Sequence, residues 1–202
     1  YEYDDTLKAR VYSDSALIFA KRSKSLSLIA RAYQFKGWYF QNTSDFKSAL
    51  ECFTTSLNDF TTAKHKQGIA DAYGNLGNIY LDMKDFATSL DYQLKSLEQN
   101  EAILSSKITK KERKWALEGK TCALSNIASI YGELDLLDKA LEYERRSLGA
   151  EIEANNELGI GISYSAIASI YKSLNNVDSA EFYFRKGIKI YKDLKHISGL
   201  SK

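Results

Sequence analysis

The sequence predicts an all-α solenoid of stacked antiparallel helix hairpins, and three observations carry that prediction. A small-x-x-aromatic signature recurs as Gly37 to Phe40, Gly77 to Tyr80, Ala128 to Tyr131 and Ala168 to Tyr171, each followed at the same distance by Leu57, Leu97, Leu148 or Ile188. Self-similarity at a fixed period means that one supersecondary unit is stacked repeatedly. Around the signature the apolar positions have helical spacing: Tyr73, Leu76, Gly77 and Tyr80 fall at i, i+3, i+4 and i+7. Proline is absent from all 202 residues, which suits long helices, because an interior proline removes a hydrogen bond and clashes with the preceding turn.

The elements follow in register. Ala9, Tyr12 and Leu17 stand 40 positions before Ala49, Cys52 and Leu57, so residues of about 4–24 are expected to form the second helix (B) of a hairpin without its first helix (A). The first full repeat, about 27–65, pairs helix A around Tyr33–Phe40 with helix B over Phe46–Leu57. The second, about 67–108, pairs Tyr73–Tyr80 with the series Phe86, Leu90, Leu94 and Leu97, for which Asp85 is the expected N-cap. The third, about 110–156, pairs Leu124–Tyr131 with Leu137–Leu148, and the fourth, about 158–196, pairs Tyr164–Tyr171 with Val177–Ile188. Gly199 stands 40 after Gly159, in the phase of Gly68 and Gly119, so residues 197–202 are expected to open a further helix. The register therefore reads as one solenoid domain over 1–202, a piece of a longer array.

The small residues have a mechanical reason. A bulky side chain at Gly37, Gly77, Ala128 or Ala168 would hold the paired helix away, and the facing positions on helix B, Ala49, Ser89, Ala140 and Ala180, are small as well. The spacing from Gly37 to Gly77 and from Ala128 to Ala168 is 40, but from Gly77 to Ala128 it is 51. Eleven extra residues are about three helical turns, so an in-phase helical extension with a protruding tip near Ser105–Lys114 is expected.

Composition excludes several functions. The net charge of +2 is too small for a nucleic-acid or membrane footprint of the whole chain, and no apolar run approaches the length of a membrane span. Cys52 and Cys122 lie at different repeat phases without metal-ligand spacing and read as buried free thiols, so neither metal nor cofactor is expected. His65 and His196 share one phase in different repeats, near the C-terminal ends of B helices, where a helix dipole favours a cation. They are too far apart for a joint site, no catalytic or phosphate-binding motif is present, and the carboxylates read as solvated surface pairs. The chain is expected not to be an enzyme.

Apolar-x-x-small-x-x-aromatic on helix A, followed by a small and then an apolar residue on helix B, resembles the tetratricopeptide repeat family. The resemblance covers nearly the whole chain, although the family's repeat is about 34 residues and this one is longer. Repeats of this length look like those of kinesin light chains and bacterial regulatory proteins. The resemblance implies a right-handed superhelix in which helix A lines a concave, peptide-binding groove. Here that stripe reads Arg31, Gln34, Phe35, Trp38 and Asn42, then Asp71, Asn75, Asn78 and Asp82, then Cys122, Asn126, Ser129 and Glu133, then Ile162, Ala166, Ser169 and Ser173. Asparagine amides can hydrogen-bond a peptide backbone without reading its sequence, and Phe35 or Trp38 can anchor an apolar side chain. Lys107, Lys110, Lys111, Arg113 and Lys114 form a basic tip with Trp115 packed beneath, read as a solvated helix end ahead of a contact for an acidic partner. The implied function is a protein- or peptide-binding scaffold, the sensory or interaction region of a larger bacterial signalling protein, in the cytoplasm or in a periplasmic sensor. The alternatives are a self-association module, possible as a homodimer, and a peptide-gated regulator resembling response-regulator phosphatases.

Overall fold

The computed structural model describes residues 2–200, with side chains described from 8 to 194. The fold is an all-α solenoid of stacked helix pairs. Among the described residues there are nine helices and no strand: α1 (Glu2–Ser23), α2 (Leu26–Asn42), α3 (Phe46–Thr62), α4 (Lys66–Asp82), α5 (Phe86–Leu104), α6 (Lys110–Glu133), α7 (Leu137–Ala154), α8 (Glu157–Ser173) and α9 (Val177–Leu200). The chain divides into two compact units, Tyr1–Ile103 and Leu104–Lys202. Helix α9 runs unbroken through Leu200, so 197–200 continue it instead of opening a further helix. Lys195 stays helical where Asn155, 40 positions earlier, turns left-handed. Residues 201–202 and the side chains of His196 and Gly199 lie outside the described residues.

The turns are built without glycine. Each tight reversal places a non-glycine residue at positive φ, namely Lys24, Ser44, Lys64, Lys84, Asp135, Asn155 or Asn175, and no described glycine has positive φ. Bonds five residues back close most of these helix ends, as from Asp45 N–H to the Phe40 carbonyl (2.9 Å) and from Asp85 N–H to the Tyr80 carbonyl (2.9 Å). Most of the following helices then start on a side-chain cap, the exceptions being α2 at Ser25 and α7 at Leu136. The Asp85 carboxylate accepts from Thr88 N–H at 3.1 Å, as expected of an N-cap, and Asn156 accepts from Gly159 N–H at 3.2 Å. His65 corrects the sequence reading: it caps the start of α4, its Nδ1 accepting from Gly68 N–H at 2.9 Å. The expected place at a helix C-terminus is therefore lost, because His65 stands at the opposite, N-terminal end of the next helix.

The glycines instead let helices approach. A Cβ on Gly37 would lie 2.6 Å from the Phe53 ring, and one on Gly77 would lie 2.6 Å from the Gln93 amide. The facing residues Ala49, Ser89 and Ala140 are fully buried. In the first unit Ala49, Phe53, Leu76 and Ile79 form one core cluster and Ala30, Phe60 and Ala72 a second. In the second unit Leu124, Ile127, Ile130 and Ile167 are fully buried. The signature aromatics pack on helix B, with Tyr80 stacked on Tyr92 (5.6 Å) and Tyr171 on Tyr183 (5.6 Å).

The 11-residue insertion is only partly helical. Helix α6 has 24 residues against 17 in α4, α5 has 19 against 17 in α3, and the connection Ser105–Thr109 has five residues against three at Ala63–His65. Those differences, seven, two and two, account for all 11. The break falls within the expected tip because Thr109 and Glu112 form a capping box that starts α6 afresh, the Thr109 N–H donating to the Glu112 carboxylate at 2.8 Å.

Candidate functional site

In the first unit α2 and α4 present the candidate face. Phe35 is 54% exposed and Trp38 40%, and their rings pack edge to face at 5.3 Å. The indole Nε1–H of Trp38 donates to Asn75 Oδ1 at 3.0 Å, linking the two helices. An indole N–H only donates, so this bond fixes which end of the Asn75 amide is the carbonyl. Asn75 is itself buried, and its Nδ2 has no hydrogen-bond partner. Asn78 Oδ1 accepts from Gln93 Nε2 at 2.8 Å, and Gln93 is fully buried. Gln34 is buried at 6% exposure, so it offers little surface to a ligand.

Charge on this face is mixed. Arg31 and Asn42 are exposed; Asp82 is also exposed and accepts from Gln41 Nε2 at 2.7 Å. Asp71 accepts from Gln67 Nε2 at 3.0 Å. Asp71 is exposed, yet partial desolvation by crowding neighbours pushes its carboxyl pKa up, against the Gln67 hydrogen bond and the nearby Arg31 and His65.

The second unit presents a plainer face. Asn126 is half-buried on α6, while Cys122, Ser129 and Glu133 are exposed. On α8, Ile162 is 54% exposed beside the half-buried Ala166 and the exposed Ser169 and Ser173. Both cysteines are free thiols and Cys52 is buried, but the expectation of burial fails at Cys122, which is exposed on α6.

The basic tip is largely engaged. Arg113 bonds Glu153 on α7, Lys114 pairs with Glu118 at 3.8 Å, and the Lys111 ammonium lies 4.5 Å from the Trp115 ring centre. Trp115 is 38% exposed and covered by Lys111, not tucked beneath the tip. Lys107 and Lys110 are exposed.

One carboxylate contradicts the reading of solvated pairs. Glu144 on α7 is 3% exposed. Burial pushes its pKa up, opposed by hydrogen bonds with Ser163 of α8 and Ser125 of α6 and reinforced by Glu151. The signal was in the register, since Phe53, Gln93, Glu144 and Phe184 share one phase, and that phase is the core position where Phe53 packs. Among the described residues no group of three His, Cys, Asp or Glu side chains could hold a metal ion. No helix is long and apolar enough to cross a membrane among the described residues.

Stacked hairpins with small crossing residues define a repeat protein, and comparison names the repeat. The tetratricopeptide repeat model matches residues 70–103 and 162–194. Two stretches of the chain are thus tetratricopeptide repeats. No curated protein matches it in sequence. Among solved structures it is similar to BtubC (BKLC) from P. vanneervenii, with TM-score 0.78 and 15% identity over 96% of this chain and 76% of that one. It is also similar to aspartyl phosphate phosphatase F from Bacillus subtilis, with TM-score 0.73 and 15% identity over 93% of this chain and 50% of that one. A third likeness is to a Rap protein complexed with competence and sporulation factor, with TM-score 0.62 and 17% identity over 93% of this chain and 53% of that one. The chain thus spans about half the length of the last two. At these identities the likeness establishes the fold.

Proposed function

We propose that this chain is a protein-interaction scaffold, without catalytic activity of its own, that binds an extended peptide segment on its helix A faces. The observation that carries the reading is the Phe35–Trp38 pair, held edge to face and exposed at 54% and 40% beside the polar Asn42 and the buried Asn75 amide. A merely solvated helix face has no use for two ordered exposed aromatics, whereas an aromatic anchor next to hydrogen-bonding groups is what interface hot spots are made of. The Rap protein solved with competence and sporulation factor supports a ligand on this type of fold and favours the role of peptide-responsive part of a larger regulator. Arg31, Asp71, Asn78 and Asp82 flank the aromatic pair in the first unit, and Asn126, Ser129 and Glu133 are the corresponding contacts in the second.

The test is selection of binders from a displayed random peptide library. Selected peptides should lose at least tenfold in affinity for Trp38→Ala, with the helical content unchanged. Self-association is the second reading, favoured by Phe182 and Ile188, which lie exposed at 54% and 50% along α9. Light scattering across concentration separates the two, since a peptide-binding scaffold stays monomeric.

A further inference from the structure

Of the four residues in one core phase of the B helices, Phe53, Gln93, Glu144 and Phe184, the ionisable one is Glu144. Its carboxyl is 3% exposed and meets hydroxyls from two other helices, Ser125 of α6 and Ser163 of α8. The protons of this cluster can be counted. Ser147 of α7 is itself buried and donates its single hydroxyl proton to the Thr121 carbonyl, a long bond of 3.4 Å, so the 2.9 Å contact between Ser125 and Ser147 uses the Ser125 proton. In that order Ser125 can only accept from Glu144, which supplies the proton as a neutral acid.

Ionisation breaks this order. Ser125 must then turn its proton away from Ser147 to serve the carboxylate, and Ser163 is the other hydroxyl available. The charged group acting on Glu144 is Glu151, an acid on the same helix that accepts from Asn156 Nδ2 at 2.7 Å; among the described residues no cation acts on it. A buried carboxylate in such company is costly. Each hairpin is closed by its own buried small residues, Ala128 and Ala140 for α6–α7 and Ala168 and Ala180 for α8–α9, so the boundary that Glu144 and Ser163 span is the one that yields. We propose that Glu144 is a proton-operated latch between the third and fourth hairpins: the neutral acid ties α8 to α6–α7, and its ionisation loosens the fourth hairpin from the third. Since burial raises the carboxyl pKa, the latch is complete below the ordinary glutamate range and is lost as pH rises through the raised value. Because α6 and α8 carry the helix A face of the second unit, the latch controls how firmly that face is held together. It does not depend on the peptide-binding reading.

The experiment uses the full chain and NMR between pH 4 and pH 8, following the Glu144 carboxyl carbon together with amide exchange protection factors in α2, α3 and α8. The carboxyl should titrate above the ordinary glutamate range. Protection in α8 should fall at least about tenfold, the equivalent of one pKa unit, while α2 and α3 keep theirs. In Glu144→Gln, which cannot ionise, α8 protection should be independent of pH. A carboxyl that titrates in the ordinary range overturns the latch, and because it is read on the unsubstituted protein it does so whatever the variant does. An equal fall of α8 protection in Glu144→Gln, or an equal fall in α2 and α3, overturns it as well.

Discussion

Replacing Glu144 by glutamine tests the interior of the second unit. The carboxyl is 3% exposed, held between Ser125 of α6 and Ser163 of α8, with Glu151 as the other charged group acting on it. Its pKa is raised above the ordinary 4.5 by burial. The sign follows: the folded state prefers the protonated form, so its contribution to stability is complete below the ordinary glutamate range and is lost as pH rises through the raised value. Glutamine keeps the volume and an acceptor for the serines while removing the charge. Glu144→Gln should therefore be more stable than the parent by about 1–3 kcal/mol at pH 8, the cost of a buried carboxylate whose hydrogen bonds only partly replace its hydration. At pH 4 the two should converge. Urea melts followed by circular dichroism at both values measure this, and for a chain of this size the pH 8 gain corresponds to about 2–4 °C in Tm per kcal/mol. Parallel pH profiles, or a variant less stable at pH 8, would refute the reasoning.

Other substitutions probe the remaining construction. Gly77→Leu should cost about 1–3 kcal/mol by overpacking against the buried Gln93, read as a lower urea midpoint. Lys84, with φ of 61°, should accept glycine with a gain of about 0.5–1 kcal/mol, because a left-handed backbone penalises any Cβ; a loss would show that the turn is held by its side chain. His65→Ala should cost about 1 kcal/mol through the lost cap, and His65→Asn should restore it, with thermal melts as the readout.

The fold was legible because steric demand at the crossings is strict. Gly37, Gly77, Ala128 and Ala168 tolerate nothing large, so the register survives in the residues themselves. Chemistry at the helix ends was less legible: a three-residue turn leaves a one-residue decision about which helix owns His65, and only Asn156, a capping residue in the same phase, tilts it towards the following helix. Glu144 was missed because it stands in a charged run, Glu142 to Arg146, whose hydropathy resembles a surface; its core phase shows only against Phe53 and Phe184. On the candidate face, helical phase alone could not separate outward positions from those turned to the neighbouring helix. Trp38 and Asn75 belong to one stripe yet bond each other across α2 and α4, which leaves the asparagine buried and the tryptophan as the exposed partner.

The claim that unit Tyr1–Ile103 carries a peptide-binding face is tested most directly by mapping a library-selected peptide onto the protein by amide and indole chemical shifts. The account predicts the largest changes at Phe35, Trp38 and Asn75, and their disappearance in Trp38→Ala. A selected peptide that perturbs only α9, or that binds Trp38→Ala as tightly as the parent, contradicts it.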